Sequence, residues 1–164
     1  MICSSVRIMY ISLILISIMF HMVFKNILVP YDGTNFSNRA FQKALDVAEK
    51  DNSKITIFTV IEGEYSAVMG YSKINPQVIK KQQTVAKKYI YQLESKASNS
   101  NVPVSVKIKQ GTSIVKEIIN FAKSKKSNLI VIGSHGRTGL NKLILGSVAN
   151  GVAQQAKCSV MVVK

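Results

Sequence analysis

Glycines at positions 133, 136, 139 and 146 punctuate one stretch of the chain, Gly133-Ser134-His135-Gly136-Arg137-Thr138-Gly139, then Leu140 to Leu145, then Gly146-Ser147. Without a Cβ, backbone can turn sharply and come close to a ligand. The stretch ends where a helix begins, and the first turn of a helix carries N–H groups with no partner inside it. With a hydroxyl from Ser147 beside them, those groups make an anion site, and phosphate is its natural guest. Each piece alone has a structural explanation: Gly133 ends a strand, Gly136 and Gly139 turn the chain, and Gly146-Ser147 caps a helix. Length argues for more than that. Thirteen residues, 133–145, separate Ile132 from Gly146, where about 2–6 suffice to join a strand to a helix. Long connections in compact domains tend to serve function.

Three polar side chains near this stretch invite roles. Asp32 could accept from an adenine amino group or a ribose hydroxyl, or it could shape the turn Asp32-Gly33-Thr34. His135 fits a loop residue beside phosphates better than a catalytic base, because no carboxylate partner is apparent. Arg137 could pair with phosphate or point to solvent. Other nucleotide chemistries lack their residues. There is no Gly-x-x-x-x-Gly-Lys-Ser/Thr, and the first strand is followed by Asp-Gly-Thr-Asn-Phe-Ser. That excludes Gly-x-Gly-x-x-Gly, a Ser-Gly-Gly phosphate loop and a His-x-x-His motif at that point. With no evident general base or metal-binding carboxylate pair, any hydrolysis of a bound phosphate ester or anhydride should be slow.

The elements that would position these residues alternate. Ile27–Tyr31 is a continuous, mostly apolar run, as expected of a strand buried on both faces. Ala40, Phe41, Ala44, Leu45 and Ala48 then recur at helical spacing. Ile55–Ile61 reads as a second strand, Pro76–Ala97 as a long basic helix and Pro103–Ile108 as a third strand. A helix carrying Ile114, Val115, Ile118, Ile119 and Ala122 follows, then a strand at Leu129–Ile132, a helix at Val148–Ala156 and a last strand at Ser159–Val163. Strands separated by helices imply parallel crossovers. The predicted fold is a doubly wound, five-stranded parallel α/β sandwich of the Rossmann-like, adenine-nucleotide-binding kind. In such sheets ligands lie beyond the carboxyl ends of the strands where strand order switches. Pro30-Tyr31-Asp32-Gly33 and Ile132-Gly133-Ser134-His135-Gly136 would meet there.

The 164 residues suit one domain, and 47% hydrophobic with 18% charged residues excludes a disordered chain. Cys3 and Cys158 are the only cysteines, too few and too far apart for a disulfide scaffold or a zinc site. Net charge is +14, from 22 Lys and Arg against 8 Asp and Glu. That balance invites a basic nucleic-acid or chaperone-like module. However, Lys80, Lys81, Lys87 and Lys88 oppose Ile79, Ala86, Ile90 and Leu93, the pattern of a solvated helix face. No aromatic residues alternate with arginines to stack bases. Residues 1–21 stand apart, with Arg7 preceding the apolar run Ile8–Phe20. Three readings apply: a start of translation at Met22, a signal segment without a cleavage site, or a short membrane anchor. The first is preferred, with the domain at 22–164 in the cytoplasm and a membrane partner only if 1–21 is a true anchor.

The segment Gly133-x-x-Gly136, nine residues, then Gly146-Ser147 resembles the ATP-binding signature of the universal stress protein family. Ile27-Leu28-Val29-Pro30-Tyr31-Asp32-Gly33 resembles that family's first strand and Ser159-Val160-Met161-Val162-Val163 its last, so the likeness spans Met22 to Lys164. The resemblance implies an ATP-binding regulatory or stress-response protein, with Mg2+ as the nucleotide's counterion. It implies that Pro30, Tyr31 and Asp32 lie against the adenosine and that Val60 packs on the base. Ile132, Gly133, His135 and Gly136 would line ribose and phosphates, joined by Arg137 and Gly139. Gly146, Ser147, Val148 and Ala149 would close over the phosphate chain. It also suggests a homodimer through Ser159–Val163, a short apolar strand expected at a sheet edge.

Overall fold

The computed structural model describes residues 24–62, 84, 91, 93, 95, 97, 100–137 and 145–164. Five parallel strands form one sheet: β1 (Asn26–Pro30), β2 (Lys54–Glu62), β3 (Val104–Gly111), β4 (Leu129–Gly133) and β5 (Ser159–Val163), in the order β3-β2-β1-β4-β5. The connecting helices are α1 (Asn35–Asp51), α2 (Ile114–Ser124) and α3 (Ser147–Gln155). Residues 84, 91, 93, 95 and 97 are helical as well. The rest of the basic helix expected over Pro76–Ala97, with Lys80, Lys81, Lys87 and Lys88, lies outside the described residues.

Alternation along the strands builds two cores. Ile27 and Val29 of β1, Ile55 and Ile57 of β2, and Leu129 and Val131 of β4 point to one face, where they pack with Phe41, Ala44, Leu45 and Ala48 of α1 and with Leu93 and Ala97. Leu28, Phe58, Ile130 and Ile132 point to the other, against Ile118 and Ala122 of α2 and Ala149 and Val152 of α3. Burial on both sides explains the unbroken apolar runs of β1 and β4. Phe58 and Phe121 stack at 4.2 Å with their planes 15° apart, which fixes α2 over β2.

Strand order reverses between β1 and β4. From β1 the chain steps outward to β2 and β3, then α2 carries it back across to β4 and on to β5. β1 pairs with β2 on one side and β4 on the other, so the carboxyl ends of β1 and β4 are neighbours. Their following segments diverge into α1 on one face and α3 on the other, the place where open α/β sheets bind ligands.

Candidate functional site

The connection after β1 folds into its own cap. Gly33 holds φ 84°, a left-handed conformation that glycine adopts without strain. This brings Asp32 Oδ1 to the Thr34 backbone N–H at 3.0 Å and to its hydroxyl at 2.7 Å. Thr34 is the N-cap of α1 and accepts from Ser37 N. Asp32 therefore shapes the turn through Oδ1, while Oδ2 faces Gly136, where an added Cβ would stand 3.2 Å away. No hydrogen bond occupies Oδ2 among the described residues. The two roles open to Asp32 are thus divided between its two oxygens, the ligand role remaining a proposal.

Tyr31 goes inward. Its ring is buried among the α1-side core, and its hydroxyl donates to Asn38 Oδ1 at 2.7 Å. Its backbone N–H extends the ladder to the Phe58 carbonyl at 2.9 Å, and its carbonyl accepts from Thr59 Oγ1 at 2.9 Å. Pro30 ends β1, and Val60 lies half-buried on the α2 side of β2, opposite Lys109 of β3.

The connection after β4 is pinned at both ends. Gly133 is the last residue of β4, and a Cβ there would come within 2.8 Å of the Phe36 backbone carbon. Its smallness lets the first turn of α1 lie on the strand. Ser134 is buried; its N–H donates to the Val163 carbonyl at 2.7 Å and its carbonyl accepts from Gly146 N at 2.8 Å. The departure and return of this connection are thus tied by one hydrogen bond. His135 is buried too, with Nδ1 3.0 Å from Ser134 Oγ and its ring 5.0 Å from that of Phe36. Arg137 crosses to the first connection, where Nε and Nη2 both donate to the Asp32 carbonyl, at 3.1 and 2.9 Å. The sequence offered Arg137 phosphate or solvent; in this structure its exposed side chain ties the β1 turn to the β4 turn, and a phosphate role remains a proposal. Gly139, with residues 138–144, lies outside the described residues.

Gly146 is the N-cap of α3, at φ −59° and ψ 149°, and no side chain caps the helix. Its carbonyl accepts from Asn150 N at 2.9 Å, leaving the N–H groups of Ser147, Val148 and Ala149 as the open first turn. Thr34 caps α1 and Ser113 caps α2 with hydroxyl oxygens, so α3 alone of these three begins without a side-chain acceptor. A Cβ on Gly146 would stand 3.1 Å from the Ser134 carbonyl and 3.3 Å from His135 Cα. The structure brings together Asp32, Ile132, Gly133, His135, Gly136, Arg137, Gly146 and the first turn of α3. Sequence reasoning passed over Ser134 and Phe36. The need for a small residue at 133 has Phe36 as its cause, but no spacing in the chain announces that pairing.

The described part of this arrangement can hold an anion by oriented amides. Cys158, just ahead of β5, is half-buried, and burial pushes its thiol above its ordinary pKa, so it is less of a thiolate than a free cysteine. Among the described residues there is no group of three or more His, Cys, Asp or Glu placed to hold a metal ion. Nor is any described helix long and apolar enough to cross a membrane.

The sequence pattern of the universal stress protein family matches residues 23–164. The chain belongs to that family. A universal stress protein of Methanocaldococcus jannaschii is 30% identical over 145 residues, covering 87% of this chain and 83% of the relative. Among solved structures, the universal stress protein UspA from Lactobacillus plantarum superposes with a TM-score of 0.79 at 22% identity, over 86% of this chain and 98% of its own. A universal stress protein from Archaeoglobus fulgidus, solved in complex with dAMP, gives 0.62 at 19% identity, over 87% and 100%. These structures share the five-stranded parallel α/β fold predicted from the sequence.

Proposed function

We propose that this universal stress protein binds an adenine nucleotide, ATP with Mg2+ as its counterion, and acts as a nucleotide-dependent regulatory or stress-response binding protein in the cytoplasm. The observation that carries the reading is the uncapped start of α3 at the switch point, with the amides of Ser147, Val148 and Ala149 open beside Gly146. Oriented amides at a helix N-terminus favour phosphate through both hydrogen bonding and the helix dipole. Asp32 Oδ2 is the acceptor for the nucleoside, with Val60 and Ile132 as apolar surface for it. Gly133, His135 and Gly136 form the wall between the two turns, and Gly139 is assigned to the phosphate site by the glycine spacing of the sequence alone. Pro30 and Tyr31 contribute through backbone, since the Tyr31 ring is committed to the core. Arg137 contributes by holding the Asp32 turn in place. The dAMP complex of the A. fulgidus relative supports an adenine nucleotide in this fold.

Denaturing the purified protein and chromatographing what it releases should yield an adenine nucleotide. Calorimetric titration should then show ATP binding that Gly146→Val weakens by about tenfold or more, as expected for losing one or two charge-assisted hydrogen bonds. Ser147→Ala should cost less, because the helix amides remain. Circular dichroism checks the fold of each variant. Undetectable binding of ATP, ADP and AMP to folded wild-type protein would overturn the proposal.

A further inference from the structure

The opposite end of the sheet holds a second concentration of unmatched chemistry. A groove of about 200 Å³ lies where β1, β2 and β3 begin, under the last turn of α2. Lys54, Lys107 and Lys125 all line it, and among the described residues no acidic side chain does. None of the three forms an ion pair among the described residues; Lys109, farther along β3, is the lysine that Glu117 neutralises, at 2.6 Å. The floor is polar. Thr56 and Ser105 are paired across β2 and β3, with their hydroxyl oxygens 3.2 Å apart. The wall is rigid, since Phe121 is stacked on Phe58. The end of α2, which could repel an anion, is already satisfied: the Phe121, Ala122 and Lys123 carbonyls accept from Lys125, Ser127 and Lys126 N–H groups.

Three exposed lysines line one small groove, with the Lys125 ammonium 6.0 Å over the Phe121 ring, and together they make it a basic patch that favours an anion. Lysine binds phosphate as a point charge, and hydroxyls supply donors for the remaining oxygens. We infer that this groove is a binding site for a small phosphate-bearing molecule with at least two negative charges, separate from the candidate site at the carboxyl ends of the strands. The volume suits a group of pyrophosphate size.

The test is an amide chemical-shift titration of the full chain with inorganic pyrophosphate. The Thr56, Ser105 and Ser127 amides should move in a saturable way. In Lys54→Gln/Lys107→Gln/Lys125→Gln, affinity at those amides should fall by at least about tenfold. Lys107→Glu, a single change at an exposed position, serves if the triple variant is poorly folded, with the same expectation. ATP binding at residues 133–147 should persist in these variants. The inference fails if pyrophosphate moves only residues 133–147, if it moves nothing, or if the lysine variants respond as wild type does. Duplex DNA shifting the same groove amides at lower concentration than pyrophosphate would also overturn it, in favour of a nucleic-acid surface.

Discussion

Gly133 and Gly146 stand at the two ends of one connection, and their neighbours make them small for different reasons. A Cβ on Gly133 would meet Phe36 backbone at 2.8 and 2.9 Å, and backbone inside a helix cannot step aside. Gly133→Ala should therefore destabilise the fold by about 1–3 kcal/mol, the usual cost of overpacking, as read by denaturant unfolding. The folded fraction should keep its nucleotide affinity. Gly146 has an ordinary φ, and its nearest neighbours among the described residues are the Ser134 carbonyl and the His135–Gly136 backbone, at 3.1 Å and beyond. Gly146→Val should act mainly on binding. If both variants lose stability equally and neither loses ligand, the site assignment at α3 fails. The glycine spacing was legible because close approach of backbone leaves a mark in sequence, but it does not say what approaches. Among the described glycines only Gly33 holds a positive φ; the other turns at this site use glycine for space. Likewise Arg137 reads as a phosphate ligand by type, and only the fold reveals that it reaches a carbonyl 105 residues away.

At the scale of elements, the two sheet edges are managed differently. β3 exposes Ser105, Lys107 and Lys109, charges that discourage edge pairing. β5 carries none. Val160, Met161 and Val163 are half-buried and Val162 is 38% exposed, with no strand on its outer side among the described residues. This motivates the proposed homodimer through Ser159–Val163. Sedimentation at micromolar concentration should show a dimer, and Val162→Lys should shift it to monomer with circular dichroism unchanged. A wild-type monomer, or a dimer indifferent to the substitution, would remove β5 as the interface. The strands themselves were readable, because burial on both faces demands unbroken apolar runs; β5 falls at Ser159–Val163 as expected. The boundaries that moved are those where composition is silent. β3 runs past Ile108 to Gly111, since Lys109 and Gln110 pair with Val60 and Ile61 through backbone that polar side chains do not disturb. Tyr31 lies just beyond β1 yet still donates a ladder hydrogen bond to Phe58, which makes it strand-like in sequence.

For the molecule as a whole, the question is where the folded unit begins. Phe24 N donates to Asp51 Oδ2 at 2.8 Å, Lys25 Nζ donates to the Asp51 carbonyl at 3.2 Å, and the Lys25 carbonyl accepts from Lys54 N at 3.0 Å. Ser53 Oγ donates to the Phe24 carbonyl as well. Residues 24 and 25 thus fasten the start of β1 to the end of α1 and the start of β2. Asp51 is largely buried, so a hydrogen bond to its carboxylate matters more there than on the surface. We propose that the domain needs nothing before Met22. A chain beginning at Met22 should unfold at the same denaturant midpoint as the full chain and bind ATP equally well. One beginning at Asn26 should lose about 2–4 kcal/mol, since it forfeits both the charge-assisted bond to Asp51 and the packing of Phe24 against the α1-side core. Equilibrium unfolding of the three chains, with ATP titration of each folded one, separates the possibilities. If the Met22 chain is unfolded while the full chain is not, residues 1–21 belong to the domain. If the Asn26 chain is as stable as the others, these ties are incidental and the boundary lies farther in.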